Sequence, residues 1–311
     1  MKRMRIWGLA AVAVVACAGV VTHVARNGPQ LSGVMNPHGA RTPRAEMERL
    51  LRATDAVASS TSRAELVARG RTLFRASSVA LDGESCQSCH TEGGANGALG
   101  TIVHLMSEGD TFDGPRDAPS LFGVKRTPPY RWDGKVMTLE AMVIDTIKNH
   151  FKPSGRTDIP GKTAALVAYL EELEPPPSAF DDGTLTASAL RGEALFQGKA
   201  GCFACHGGPL LTDNRIHDTG VPQIAMAGGK TSNDPGAPAP PPPPGEAQTP
   251  GPFINTPQLR DLKNSAPYMH NGSMKTLREV IAFYNTQSPL ISPLRLSNAE
   301  MDDLVAYLNG L

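Results

Sequence analysis

Cys202-Phe203-Ala204-Cys205-His206 decides how this chain is read, because Cys86-Gln87-Ser88-Cys89-His90 spells the same pattern earlier. Cys-x-x-Cys-His is the attachment pattern of c-type haem. Two thiols one helical turn apart can add to the two vinyl groups on one porphyrin edge, and the adjoining imidazole then reaches the iron as its proximal ligand. A bare Cys-x-x-Cys also serves zinc sites and dithiol redox centres. The trailing histidine in both copies favours haem, and no other Cys or paired His stands at zinc-finger spacing. The pattern predicts two covalently bound haem c groups, held through Cys86, Cys89, Cys202 and Cys205, with His90 and His206 on the two irons.

At 311 residues the chain is long enough for two domains with cores of their own. Its 30 basic and 30 acidic residues balance, so no nucleic-acid partner is expected. Of five cysteines, four belong to the two motifs, which leaves Cys17 without a disulfide partner. The 27 prolines and 31 glycines point to a loop-rich protein wrapped around cofactors.

Lys2, Arg3 and Arg5 precede an apolar run from Ile6 to Val21, so residues 1–26 read as an export signal or membrane anchor. Export agrees with haem attachment on the outer face of the bacterial cytoplasmic membrane, and predicts a periplasmic protein. Val14-Val15-Ala16-Cys17 also fits a lipidation box, while Ile6 to Val24 is just long enough to span a bilayer. Residues 27–62 read as a tether with a short helical segment at 44–51.

Beyond the tether the chain repeats itself. Arg69-Gly70-x-x-Leu73-Phe74 is answered by Arg191-Gly192-x-x-Leu195-Phe196, and Leu166-Val167-Ala168-Tyr169-Leu170 by Leu304-Val305-Ala306-Tyr307-Leu308. Pro129-Tyr130-Arg131-Trp132-Asp133-Gly134 corresponds to Pro267-Tyr268-Met269-His270-Asn271-Gly272. The fold predicted is mainly α: two tandem cytochrome c-like haem domains at 63–177 and 178–311, with a Pro-rich insertion at about 221–253. Pro235 to Pro244 within it reads as a loose polyproline II surface loop. No run alternates well enough to be a strand. Thr276-Leu277-Arg278-Glu279 spells a capping box opening a helix with the stripe Leu277, Val280, Ile281, Tyr284.

Two exported haem domains of this shape, together with Gly114-Pro115-Arg116-Asp117-Ala118-Pro119, Trp132-Asp133-Gly134 and the Tyr268-to-Gly272 turn, resemble the bacterial di-haem cytochrome c peroxidases. They resemble equally the related enzyme that matures methylamine dehydrogenase. The resemblance covers residues 64–311. It implies that electrons enter at the second haem from a small cytochrome c or cupredoxin. They would pass to the first haem, which meets hydrogen peroxide or an oxidisable protein partner. Trp132 falls at the position of the family's inter-haem tryptophan; a core indole packed on haem is the other reading. The family's interdomain calcium carries over to Asp117, Ser265 and Pro267. The resemblance leaves a homodimer open.

The family's peroxidases place a Gln ten and a Glu twenty residues beyond that Trp, where this chain has Met142 and Lys152. Glu140, Asp145 or His150 would have to stand in as the acid–base group. His104, fourteen residues beyond His90, corresponds to the removable ligand of the first haem, with His150 as rival. Tyr284 falls at the distal position of the second haem, a tyrosine in the maturation enzyme and a methionine in the peroxidases. Met269 and Met274 are the alternatives there. The missing Gln and Glu also allow a second class, a di-haem electron-transfer cytochrome without catalysis.

Overall fold

The computed structural model describes residues 42–76, 85–91, 94, 104–105, 115–151, 157–225, 231–232, 234, 236–237 and 252–311. The apolar amino-terminal run, Cys17, Lys152 and residues 238–251 lie outside the described residues, as do the side chains of His104 and His150. Among the described residues no helix is long and apolar enough to cross a membrane.

In chain order the first half runs α1 (Arg44–Ser60), α2 (Arg63–Arg75), α3 (Cys86–Cys89), β1 (His104–Leu105), β2 (Pro115–Arg116), α4 (Leu139–Asp145) and α5 (Ile159–Leu170). The second half runs α6 (Ala179–Asp182), α7 (Ala187–Gln197), β3 (Ile216–Asp218), β4 (Phe253–Asn255), α8 (Leu277–Thr286) and α9 (Asn298–Asn309). Each half is built on one helix crossing, α2 on α5 and α7 on α9.

The repeated sequences explain the repeated crossing. A Cβ on Gly70 would lie 2.0 Å from the Ala165 carbonyl oxygen, and a Cβ on Gly192 would lie 2.0 Å from that of Asp303. Glycine lets the two backbones touch in both halves. Beside each contact a buried tyrosine meets a phenylalanine: Tyr169 against Phe74 with ring centroids 5.3 Å apart, Tyr307 against Phe196 at 5.2 Å. The loops repeat as well. Pro128–Pro129 and Ala266–Pro267 are both cis, and Arg131 and Met269 both take φ of 70°. Tyr130 pairs with Val136 as Tyr268 pairs with Met274.

Three expectations need correction. Residues 44–60 are not tether: α1 buries Met47, Leu50 and Thr54 on one face against α5 and α4. Its stripe is only three residues wide in a background of Arg and Glu, which hid it. Thr42, ahead of the helix, is already buried, its N–H and hydroxyl both donating to Asp145 Oδ1 at 2.9 and 3.1 Å. The first folded half therefore begins before residue 63. Strands do exist, as two antiparallel pairs, β1 with β2 and β3 with β4. At two or three residues they are too short to show alternation.

The front of the insertion is not a loose loop either. Asp234 is 2 % exposed, and the amide of Ala237 donates to the Phe253 carbonyl at 2.7 Å.

Candidate active site

Each Cys-x-x-Cys-His motif opens onto its own cavity, and the two cavities share a wall. The first, about 360 Å³, takes Cys86, Cys89 and His90 on one side and apolar side chains of α4 and α5 on another. Ser85 and Ser88 cap α3 reciprocally, which holds the two cysteines one turn apart. The second cavity, about 180 Å³, takes Cys202, Cys205 and His206. Leu277, Val280, Ile281 and Tyr284 of α8 face it together, as one helix stripe must. The capping box that starts α8 forms as the sequence predicts, with Thr276 Oγ1 accepting from the Glu279 amide and Glu279 Oε2 from the Thr276 amide.

The residues present fit haem. The two motifs line separate cavities, so the four thiols do not converge on one zinc ion. Burial pushes the Cys86 and Cys202 thiols up to about 12, unlike the lowered thiols of dithiol redox centres. His206 donates from Nδ1 to the Leu211 carbonyl at 2.8 Å. That bond fixes the tautomer and leaves Nε2 to ligate, the arrangement metal-binding imidazoles use. Burial pushes the His206 pKa down, keeping the ring neutral. His270, on the wall of the second cavity, has a buried Nε2 without a hydrogen bond, 4.0 Å from Asp234 Oδ2. Burial pushes its pKa down to about 4.

Trp132 stands on the shared wall and lines both cavities, with Asn255, Thr256, Pro257, Tyr268 and Met269. Its indole meets the His270 ring edge-on, centroids 6.5 Å apart. The Asn255 amide donates to the Trp132 carbonyl at 2.7 Å, and Asn255 Nδ2 donates to the Pro129 carbonyl at 2.6 Å. The tryptophan is thus held by backbone from both halves.

The other predicted residues divide. Tyr284 lines the second cavity, and burial pushes its phenol up to about 12. Met269 lines both cavities, whereas Met274 does not reach the second. It packs instead with Val221 and Phe283. Asp117, Ser265 and Pro267 come together on the wall of the first cavity. Burial pushes the Asp117 carboxyl up to about 7, against the lowering effect of a hydrogen bond from the Ala118 amide. His104 lies in β1 with its backbone opposite Arg116, which lines the first cavity.

Glu140 is not brought to that cavity. Leu139, Met142, Val143 and Thr146 face it at helical spacing, which turns residue 140 away. Asp145 is fully buried and accepts from Thr42, Arg131 and Asn149, so it is no free acid–base group.

Two clusters escaped the sequence reading. Arg116 is bidentate to Asp234 at 2.7 Å on both arms and lies 3.4 Å from Asp133, all three buried. Burial pushes the Asp234 carboxyl up, but the hydrogen bonds from Arg116 outweigh it and leave the pKa below the usual range. Beside Cys205, Asp213 Oδ2 accepts from His217 Nε2 at 2.8 Å, and ligand atoms of these three residues lie within 4.8 Å of one another. The only hint in the sequence was the i, i+4 spacing of Asp213 and His217.

Residues 64–172 match the di-haem cytochrome c peroxidase family. The cytochrome-c peroxidase IdrP2 of Pseudomonas sp. (strain SCT) is 32% identical over 283 residues, covering 73% of this chain and 75% of the relative. The methylamine utilization protein MauG of Methylorubrum extorquens is 30% identical over 295 residues, covering 79% and 78%. Among solved structures, a MauG-like protein associated with microbial copper homeostasis superposes with a TM-score of 0.60 at 26% identity, over 79% of this chain and 88% of that one. With two haem-attachment motifs on adjoining cavities and relatives named cytochrome c peroxidases, the chain belongs to the MauG-like di-haem cytochrome c peroxidase family and is a peroxidase-like di-haem oxidoreductase.

Proposed function

We propose that this is an exported, periplasmic enzyme with two tandem cytochrome c-like domains, in which electrons enter beside the second cavity and are used at the first. Trp132 on the wall common to both cavities is the observation that carries this reading. When bound, the two haems supply one-electron chemistry and an iron that meets peroxide. The chain's part is to attach, orient and insulate them. Cys86 with Cys89, and Cys202 with Cys205, would hold the two haems covalently, and His90 and His206 would ligate their irons.

Tyr284 would be the further protein ligand of the second iron, with Met269 the sulfur that lines the same cavity. A phenolate favours the ferric state, so Tyr284 marks this centre for stabilised oxidised states. His104 is the removable ligand of the first, supported by the pairing of its backbone with Arg116 at the cavity wall. Asp117 with the carbonyls of Ser265 and Pro267 offers oxygen ligands to calcium, and a half-buried carboxyl on this cavity wall suits a cation.

The electron donor is a small cytochrome c or cupredoxin, the oxidant hydrogen peroxide or an oxidisable protein, and residues 1–26 export the chain and hold it at the membrane. Maturing the full chain with a haem-attachment system tests the reading. Denaturing electrophoresis should show haem stain on the polypeptide and intact mass should show two haems. Cys205→Ser should lose attachment at the second site only. Electron paramagnetic resonance of the half-reduced protein should show a high-spin ferric centre that binds cyanide. A mass for one haem, or two inert low-spin centres, would refute it.

A further inference from the structure

Arg260 belongs to the second half, yet its side chain lies on the wall of the first cavity and is 6 % exposed. One arm is committed. Nη2 donates to Ser178 Oγ at 3.2 Å and to the Asp181 carboxylate, and the guanidinium sits over the Phe180 ring at 5.7 Å. The other edge is not: Nε is buried and has no hydrogen-bond partner. A buried guanidinium N–H left unpaired is costly, and calls for an acceptor. The other guanidinium groups on this wall are already engaged, Arg116 by Asp234 and Arg131 by Asp145. Asp181 is half-exposed and does not line the cavity; one of its carboxylate oxygens accepts from both Ser178 Oγ and Arg260 Nη2.

We propose that the Nε edge of Arg260 binds a carboxylate carried by the planar apolar occupant of the first cavity, that is, a propionate of the haem attached at Cys86 and Cys89. This rests on the cofactor reading of that cavity. Attachment fixes the vinyl edge of the macrocycle at α3, and the propionates leave from the opposite edge. The cation that meets them must therefore come from a wall away from the motif. Arg260 lines that cavity on a segment far along the chain from the motif, supplied by the other half of the chain. The first site is then incomplete without the second half, because Ser178 and Asp181 hold the guanidinium that serves it. A fixed positive charge beside a propionate offsets its negative charge and favours the reduced iron, raising the potential of the first haem.

The test uses the full matured protein with both haems, compared with Arg260→Gln, Arg260→Lys and Asp181→Asn. Intact mass first establishes that both haems are present; their absence from wild-type protein would defeat the cofactor reading itself. With both present, Arg260→Gln should lower the potential of the first haem in an optical redox titration and leave the second unmoved. It should also shift the propionate bending band of the first haem in resonance Raman spectra. Arg260→Lys, which keeps the charge, should restore most of the potential, and Asp181→Asn should not lower it. If Arg260→Gln matures without its first haem, the propionate band is read in Arg260→Lys, where a single ammonium replaces the planar N–H edge and should still shift it; an unshifted band there would overturn the proposal. An unmoved potential and Raman band in Arg260→Gln would overturn the proposal.

Discussion

Trp132 donates its indole N–H to the backbone carbonyl of Asp117 at 2.7 Å. The amide of Asp117 in turn donates to the His270 carbonyl at 2.8 Å, so three residues link the two cavities through two hydrogen bonds. The bond leaves the indole with its nitrogen fixed and its ring edge toward His270. Trp132→Phe should keep both haems, because the ring is replaced by a smaller apolar one, yet slow electron transfer between them. Flash or stopped-flow reduction of the second centre should show transfer at least about tenfold slower, some 1.4 kcal/mol of barrier. Transfer at the wild-type rate would remove Trp132 from the path.

Tyr284 offers a spectroscopic prediction. It is half-buried on the α8 face that lines the second cavity, where its phenol resists ionisation unless a cation is at hand. As an iron ligand it would ionise, and Tyr284→Phe should raise the potential of the second haem and change its ferric spectrum. A methionine-to-iron charge-transfer band present in wild type and kept by the variant would assign the ligand to Met269 instead.

The helix crossings predict a matched pair of stability effects. Gly70→Ala and Gly192→Ala each drive a methyl into a backbone carbonyl 2.0 Å away, and no rotamer can relieve a backbone clash. Each should destabilise by about 2–3 kcal/mol in urea unfolding. The sites lie in different halves, so the double variant should show the sum. A loss within experimental error of zero for either would mean the helices slide apart without cost.

These repeats were the part of the fold most legible in the sequence, because a backbone contact tolerates one residue type and a tight turn only a few. Gly70, Gly192 and the paired Pro-Tyr turns are written as identities. The haem motifs were equally plain, since the chemistry dictates their spacing. What escaped depends on distance along the chain. Arg116 and Asp234 are 118 positions apart, and neither residue announces its partner. Arg260 reads as an ordinary surface arginine until Ser178, Asp181 and the cavity are placed around it. Glu140 looked suitable by type, but the helix turns it from the cavity while Met142 faces in. Helix α1 was half-legible: the 44–51 segment was expected, and its continuation to Ser60 against α5 was not.

The Arg116–Asp234 pair predicts how firmly the insertion is held. Both side chains are buried, 7% and 2% exposed, and Gln223 brackets Asp234 by accepting its N–H at 3.1 Å and donating to its carbonyl at 2.7 Å. Asp234→Ala removes both 2.7 Å hydrogen bonds of the buried Arg116 guanidinium. It should destabilise by about 3–5 kcal/mol, the cost of stranding a buried charge. Replacing both partners, Arg116→Met with Asp234→Leu, should recover much of that loss in the same unfolding experiment. No recovery would show that the pair positions the loop rather than merely neutralising itself.

His217 carries the pH dependence. Burial lowers its pKa, but the hydrogen bonds the imidazole makes to Asp213 and Cys205 outweigh this and leave it raised to about 9. A folded-state pKa above the ordinary 6.5 contributes stability that is fully present below pH 6.5 and is lost as the pH rises through about 9. Once Cys205 is a thioether its contribution disappears, and the shift rests on Asp213, whose carboxyl those same bonds hold below its usual range against the effect of burial. The loss between pH 6 and pH 9.5 should accordingly come to about 1–2 kcal/mol in the matured protein. Chemical denaturation at pH 6, 8 and 9.5 measures it. His217→Gln should flatten that part of the profile, and Asp213→Asn should move the loss to lower pH by lowering the imidazole's pKa. A profile that keeps its wild-type slope in His217→Gln would place the titrating group elsewhere.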